Sequence, residues 1–543
     1  MSINISKEKR NSLIKKVKDI YIYISSVPQD KNTANLLEYL KEIEKEISAK
    51  KYGLIFEEHK ETIDEILENN IPVLKEDASL FIDNGGQMNF LIEGDNLASL
   101  HLLERTHKSR IDLIYIDPPY NTGHEDFIYN DKMIDNTDGY RHSKWLSFMN
   151  ERLLIAKKLL TCNGVMFISI DDNEYASLKM LCNKIFGEHN IETMIWRKVG
   201  DGDAGAGKMK ATNRYRIEHE YILVCYQNKD KTIFKRYKEK PDFKNSYKNL
   251  DNDPRGAYKV GNISKIEENS NLNGKNYYEV KSPTGKVFKR QWHFDYPTFM
   301  KLDADNRIYW GKNGNSVPGK KIFINEPREV VPSSVLLNMG STTMGNKLIK
   351  EVFGDVVFNN SKPIKLMEYL IDRISSNNFT ILDFFAGSGT TGHAVMELNA
   401  KDNGNRKFII CTNNENNICR GITYERIKKV VKKENYKASL KYMKIDFVPI
   451  TDKFYYEYAD ELLKNVKELV ELENAINFNG NKELAIILTE EELDDFTNNI
   501  PRECKTIYLG HNILPTKEQE TLFKKNKIKI NIIPDYYYRD LEG

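Results

Sequence analysis

The sequence predicts an α/β protein built on a mostly parallel, doubly wound sheet, and three observations lead there. From Asn89 onward, short apolar runs alternate with stretches of helical period, the pattern of strands joined by crossover helices. Between about Asn228 and Asn346 the alternation gives way to irregular sequence rich in Lys, Asn, Gly and aromatics, which reads as a mostly β insert. At Ile364 the alternation resumes and soon reaches Asp383-Phe384-Phe385-Ala386-Gly387-Ser388-Gly389-Thr390-Thr391, with glycines placed where a strand turns into a helix.

The elements follow in order. Before about Asn84, apolar residues recur at three and four (Leu13, Val17, Ile20, Ile24, then Leu36, Leu40, Ile43, Ile47). Two helices are expected there, with a turn at Pro28 and Asn32. A third helical stretch, Glu57 to Asn69, ends before Pro72. Phe90 to Ile92 is a strand running into Gly94-Asp95-Asn96 and a helix from Leu97. Ile111 to Ile116 is a strand ending at Asp117, and Trp145 to Leu160 is a helix. Gly164 to Ile170 is a strand ending at Asp171, and Tyr221 to Tyr226 is another. In the second half Phe379 to Leu382 and Phe408 to Cys411 are strands, and the helix Tyr424 to Val431 closes the sheet. After Ile450 come a long helix, Phe454 to Leu472, and strands at Leu484 to Leu488, Thr506 to Leu509 and Ile528 to Ile533. Thr489 with Glu492 and Thr516 with Gln519 have capping-box spacing for the helices between them. The chain divides into a helical region over 1–85, a first core part over 86–227, the insert over 228–346, a second core part over 347–445 and a small α/β domain over 446–543.

Composition narrows the function classes. At 40% hydrophobic and 29% charged the chain reads as soluble and globular. It has no apolar run of about eighteen residues, and its opening, Ser2 to Arg10, is too polar for a secretory signal. A cytoplasmic location is expected. The six cysteines (Cys162, Cys182, Cys225, Cys411, Cys419, Cys504) form no C-x-x-C pair, so reduced thiols are expected and no metal site. Net charge is only +2, yet Arg197 to Val330 carries roughly ten more basic than acidic residues, which suits an anionic partner held locally.

Two motifs carry chemistry. Glycines at the Asp383–Thr391 turn let backbone approach a ligand closely, and the following helix N-terminus favours an anionic group such as a phosphate or an amino-acid carboxylate. Asp117-Pro118-Pro119-Tyr120 follows a strand; its prolines fix the backbone and free the Pro118 carbonyl. A carboxylate and a carbonyl together accept both hydrogens of one planar amino group, and Tyr120 offers a stacking face. A third stretch, Gly202-Asp-Ala-Gly-Ala-Gly207-Lys208-Met209, nearly spells a nucleotide-binding loop, but Met209 stands where a magnesium-binding Ser or Thr belongs, and no apolar strand leads directly into it.

Together the two motifs resemble DNA amino-methyltransferases of the β group, whose FxGxG element is here Phe385, Gly387 and Gly389 and whose DPPY element is Asp117 to Tyr120. The resemblance implies a circularly permuted, seven-stranded Rossmann-like methyltransferase sheet: Asp95 ends its third strand, Asp117 its fourth and Asp171 its fifth, while the first arrives late at Asp383. Asn121 to Gly123, Asp126 to Asp131, Trp145 to Met149 with Arg152-Leu153, Phe167 to Asp171 and Lys362-Pro363 look like the modification (Mod) subunits of type III restriction systems, as does Tyr52 to His59. That resemblance covers about Tyr52 to Lys433, more loosely through the insert.

The resemblance implies S-adenosylmethionine as cofactor and an adenine flipped out of duplex DNA as substrate. Asp117 and the Pro118 carbonyl then hold N6, Tyr120 stacks on the ring, and Phe127 or Tyr129 covers it, with Asn121 beside them. Gly387, Ser388 and Gly389 meet the methionine half of the cofactor, with Asp383 and Lys362 nearby; Asp95, next to Asn96, meets its adenine, and Asn414 or Glu415 its ribose. The insert is the expected target-recognition region, with Arg236, Arg290, Arg307, Lys320 and Lys321 among its candidate DNA contacts. A homodimer and a Res helicase–nuclease partner are the expected assembly, with the C-terminal domain serving dimerisation or the partner. The alternatives are a solitary or type II methyltransferase, a cytosine-N4 enzyme (where Ser more often replaces Asp117), and a non-catalytic DNA-specificity subunit.

Overall fold

The computed structural model describes residues 5–28, 30–48, 56–122, 140–199, 215, 217–239, 246–326, 328–450, 462, 465–478, 481–510 and 513–533. It divides into two compact units, one formed by Met1–Thr232, Leu337–Met367 and Asn378–Gly543, the other by Ile233–Leu336 and Glu368–Asn377. Phe127, Tyr129 and the Gly202–Met209 loop lie outside the described residues.

A large mixed sheet organises the first unit. Its strands are β1 (Asn70–Glu76), β2 (Gln87–Glu93), β3 (Ile111–Ile116), β4 (Leu160–Ile170), β5 (Ile191–Arg197), β6 (His219–Tyr226), β7 (Thr380–Asp383), β8 (Lys407–Thr412) and β9 (Ala438–Pro449). Among these the spatial order is β1-β9-β2-β8-β7-β3-β4-β6-β5. From β2 to β4 all neighbours run parallel; β6 is antiparallel to both β4 and β5. The seven strands from β2 to β5 form a Rossmann-like sheet in circularly permuted order, because β7, an interior strand beside β3, is reached only after β6. β3 is an almost unbroken apolar run because a central parallel strand is covered on both faces; Ile111, Leu113, Ile114 and Ile116 are all fully buried.

Helices α1 (Ile5–Ser26) and α2 (Lys31–Ser48) precede the sheet, and α3 (Thr62–Asn69) leads into β1. α4 (Asn96–His107), α5 (Arg141–Leu159) and α6 (Tyr175–Phe186) pack in one layer. α7 (Thr342–Phe353), α8 (Thr390–Asp402) and α9 (Glu425–Glu434) pack in another. Strand alternation splits β8 between them: Ile409 and Cys411 join the core shared with α4, α5 and α6, while Phe408 lies against Gly392 of α8.

The sheet is larger than the sequence suggests. The helix expected from Glu57 is confined to Thr62–Asn69, and the chain then forms β1. Pro72 is tolerated there because β1 is an edge strand, where a missing N–H breaks no ladder. The helix after β8 does not close the sheet: β9 follows α9 and pairs parallel with β2 and antiparallel with β1. Lys441 of β9, fully buried, is paired with Glu76 of β1 and with Glu471 on α10 (Val466–Asn474), which ties the edge together. Of the long helix expected over Phe454 to Leu472 the described residues show α10, which begins after Asn465; 454–461 lie outside the described residues.

At the C-terminal end β10 (Leu484–Ile487), β11 (Thr506–Leu509) and β12 (Lys529–Ile532) form a parallel three-stranded sheet with helices Glu490–Asn498 and Lys517–Lys525. Both expected caps are made: Thr489 Oγ1 accepts from Glu492 N at 3.1 Å, and Thr516 with Gln519 completes a capping box. No helix among the described residues is long and apolar enough to cross a membrane. All six cysteines are free thiols.

The second unit is largely β. A hairpin (Tyr277–Lys281 with Val287–Gln291), a three-stranded sheet (Ile308–Tyr309, Gly319–Phe323, Tyr258–Asn262) and a helix (Tyr296–Ala304) surround a core of Val280, Phe288, Trp292, Phe299 and Trp310. Its aromatics are thus spent mainly on its own core.

Candidate active site

β3 and β7 are adjacent parallel strands with Ile114 opposite Leu382, so Asp117 and Asp383 stand near each other at their carboxyl ends. That edge of an open α/β sheet is where ligands bind. A cavity of about 380 Å³ opens there, lined by Asp117, Pro118 and Tyr120 on one side and by Asp383, Phe385, Gly387 and Ser388 on another. The two prolines stiffen the Asp117–Tyr120 segment, and Trp145 of α5 secures it by donating from Nε1 to the Pro119 carbonyl at 2.8 Å.

A compact charge cluster surrounds Asp117. Lys362 Nζ lies 2.8 and 2.7 Å from its Oδ1 and Oδ2. The same ammonium is 3.7 Å from Glu220 Oε2, which Lys198 also pairs with through Oε1 at 3.3 Å. Tyr120 OH lies 2.9 Å from Asp117 Oδ1 and 3.1 Å from Glu220 Oε2; with a single hydrogen it donates to one of them at a time. Burial pushes the Asp117 carboxyl above its ordinary range, with Lys362 opposing. Burial acts likewise on Glu220, but Lys362 and Lys198 outweigh it and hold that carboxyl below the usual value. Burial works against the Lys362 charge, and Asp117 and Glu220 more than restore it. Each carboxylate oxygen accepts about two hydrogen bonds. Oδ1 of Asp117 faces both Lys362 and Tyr120, whereas among the described residues Oδ2 meets Lys362 alone and keeps one lone pair for a ligand N–H.

The opposite wall is the glycine turn. Gly387 and Gly389 have φ of +50° and +74°, the left-handed conformation that glycine adopts without strain. Asp383 is buried below it, accepting from Phe385 N at 3.0 Å and from Thr391 Oγ1 at 2.5 Å. Burial raises its carboxyl to about 7. Ser361, Ser388 and Thr390 bring their hydroxyls together at the cavity wall. Lys362 reaches Asp117 because α7 packs directly on the Ser361–Lys362 backbone, an approach possible only at Gly345: a Cβ there would collide with the Ser361 carbonyl.

The remaining expected residues are placed as follows. Asp95 and Asn96 are outside the cavity lining. Asp95 caps α4, accepting from Leu97 N at 2.7 Å, and Asn96 accepts from Arg152 Nε at 2.5 Å. Asn121, at φ +56°, donates to buried Glu174, which His142 also contacts at 2.6 Å. Asn414 Oδ1 accepts from Arg420 N at 3.0 Å, while the neighbouring Asn413 has a buried Oδ1 with no partner. In the second unit Arg236 is exposed, and Arg290 and Lys320 are half-buried. Arg307 is held by Glu326 and Asp305. Lys321 needs correcting: it is fully buried against Asp251 and Asp253, a structural cation rather than a surface contact. Sequence reasoning missed Glu220, Lys198, Ser361 and Arg426. A carboxylate opening a strand of apolar residues, as in Glu220-Tyr221-Ile222-Leu223-Val224, was the one available signal.

The comparisons agree with this geometry. The DNA methylase family N6_N4_Mtase matches residues 111–429. The StyLTI Mod subunit of a type III restriction-modification enzyme from Salmonella typhimurium is 35% identical over 354 residues, 61% of this chain and 53% of that protein. The EcoP15I Mod subunit from Escherichia coli is 30% identical over 463 residues, 72% of this chain and 70% of that protein. The type II methyltransferase M.KpnI from Klebsiella pneumoniae is 31% identical over 345 residues, 59% of this chain and 79% of that protein. The chain therefore spans about half the length of the first of these relatives and more of the other two. Since the matched region takes in both the Asp117 segment and the Gly387–Gly389 turn, the chain belongs to the DNA methylase family N6_N4_Mtase, alongside type III modification subunits.

Proposed function

We propose that this protein transfers a methyl group from S-adenosylmethionine to N6 of an adenine flipped out of DNA, as the modification subunit of a type III restriction-modification system. The observation that carries the reading is Asp117: a half-buried carboxylate with one open lone pair on Oδ2, lining the same cavity as the glycine turn. The residues present fit the cofactor. The left-handed turn at Gly387 and Gly389, the clustered hydroxyls of Ser361, Ser388 and Thr390, and the N-terminus of α8 suit the amino-acid end. When bound, S-adenosylmethionine supplies an electrophilic methyl on a sulfonium centre.

The chain's own residues do the rest. Asp117 Oδ2 accepts one N6 hydrogen and the Pro118 carbonyl the other, which orients the nitrogen lone pair and raises its electron density. The proton released from N6 after transfer leaves through Asp117 Oδ2. Alignment within a closed site is the main contribution. Tyr120 borders the base, its hydroxyl held by the Asp117–Glu220 pair. The insert over 228–346 reads the target sequence, with Arg236, Arg290 and Lys320 as the candidate contacts, and segment 446–543 serves dimerisation or the Res partner.

The test is incubation with labelled S-adenosylmethionine and mixed-sequence DNA, followed by modification-sensitive sequencing. Label on N6 of adenine at one recurring site supports the reading; label on N4 of cytosine, or none while both ligands bind, overturns it. The likeness to M.KpnI over 79% of that protein favours a second reading, a type II methyltransferase acting without a helicase partner. Co-purification from the native host with or without a helicase–nuclease subunit separates the two.

A further inference from the structure

Arg426, at the start of α9, is fully buried directly behind the glycine turn. Its Nη1 lies 2.8 Å from Thr390 Oγ1, 3.1 Å from Ser388 Oγ, 3.2 Å from the Ser388 carbonyl and 3.5 Å from Ser361 Oγ. Its Nη2 faces His393 Nδ1 at 3.4 Å, and its Nε has no partner among the described residues. Burial holds the His393 imidazole down to about 3, so it is neutral. Among the described residues no carboxylate forms an ion pair with Arg426. Burying a guanidinium without a counter-charge is costly, so such a group calls for an anion close by.

The three hydroxyls transmit that demand to the cavity. Ser361, Ser388 and Thr390 form a triangle with oxygens 3.0 to 3.2 Å apart, and all three line the cavity from which Arg426 itself is excluded. A hydroxyl has one hydrogen. Nη1 has two hydrogens, so Arg426 donates to two of these oxygens at a time, and the hydroxyls it serves from behind direct their own hydrogens to one another or to a ligand in front. Beside them α8 begins, with Thr390 and Thr391 both lining the cavity and its first N–H groups free of intrahelical partners. The result is a set of polarised donors backed by a buried positive charge.

We propose that Arg426 is the positioning residue for the carboxylate of the methyl donor, acting through the hydroxyls of Ser361, Ser388 and Thr390 rather than by touching the ligand. This rests on the proposed use of S-adenosylmethionine and identifies what neutralises its amino-acid end. Anchoring that end fixes the reach of the methyl group toward Asp117, so Arg426 governs donor placement from outside the cavity.

The test compares S-adenosylmethionine with decarboxylated S-adenosylmethionine, which differs only in the missing carboxylate, by calorimetric Kd. The wild-type protein is expected to prefer the intact donor by roughly 10- to 100-fold, the range of a charge-assisted contact. Arg426→Met is expected to abolish that preference by weakening the intact donor alone, and Arg426→Lys to restore part of it. Ser388→Ala, which leaves the buried cation in place, is expected to narrow the preference as well; it supplies the readout should Arg426→Met not fold. A merely structural role predicts equal losses for both donors, and that outcome overturns the proposal. Equal wild-type affinity for the two donors also overturns it while leaving the methyltransferase reading intact; binding of neither donor overturns that reading instead.

Discussion

Replacing Lys362 with Met tests the charge cluster most directly. The ammonium contacts both oxygens of Asp117 within 2.8 Å and stands 3.7 Å from Glu220, with its side chain 8% exposed. Removing one partner of a buried ion pair typically costs about 3–5 kcal/mol, and here two carboxylates lose the same cation. Only Lys198 and the single hydrogen of Tyr120 would remain to serve them. Two like charges this close respond by retaining a proton, so the folded-state pKa of the pair rises above its unfolded value. The sign then follows: the variant's native state binds a proton that its unfolded state lacks, so its stability deficit is full above the raised folded pKa and shrinks as pH falls through it toward the ordinary carboxylate range. Urea unfolding of wild type and Lys362→Met between pH 5 and pH 8, with Lys362→Met/Glu220→Gln alongside, reads this out. The deficit is expected to be largest at pH 8 and to be mostly recovered in the double variant. A deficit that does not change with pH, or one that Glu220→Gln fails to relieve, would refute the shared-cation account.

Three further outcomes are expected. Asp117→Ala removes the proposed acceptor for the target amino group; methyl transfer should fall by more than about 1000-fold, roughly 4 kcal/mol, with DNA affinity measured by gel shift nearly unchanged. The Asp383 carboxyl, raised by burial to about 7, keeps a proton in the folded state that the unfolded chain releases near 4. Stability should therefore decline between those values by about 1.4 kcal/mol per pH unit from this group, and Asp383→Asn should flatten that slope in unfolding titrations; an unchanged slope counts against it. Gly345→Ala drives a methyl group into the Ser361 carbonyl and should cost about 1–3 kcal/mol in thermal unfolding. It should lower transfer activity further by shifting Lys362, so full activity in a folded variant would contradict the assigned packing.

The legible part of the fold was the part written in buried parallel strands. Ile111 to Ile116 and Phe408 to Cys411 are apolar on both faces because helices cover both, so neither could be mistaken for loop. β1 escaped notice because Pro72 reads as a breaker, and only the pairing with β9 reveals an edge strand. β9 alternates less clearly, with Lys441 and Lys444 in its run; that Lys441 is a buried cation becomes visible only once Glu76 and Glu471 meet it. At the site, Asp117 and Gly387 announce themselves through local sequence. Glu220 lies far along the chain and is brought in by β6. Arg426 shares a helical face with Ile427, Val430 and Val431, all buried; a lone charge on an apolar stripe was its only trace. Lys321 shows the converse error, since a basic run in the insert hid one residue that neutralises its own neighbours.

The permuted strand order has a consequence for synthesis. β3 must wait for its partner β7, and Thr380 lies 268 residues beyond Asp112, whose carboxylate it meets in the finished sheet. At roughly 5–20 residues per second, a ribosome takes on the order of 13–54 s to supply it. Throughout that interval one edge of this largely apolar strand is unpaired, a template for other extended chains. The half bearing Asp117 is born long before the half bearing the Gly387–Gly389 turn, and its exposed edge makes the nascent chain a natural client for whatever shields hydrophobic segments at the ribosome exit.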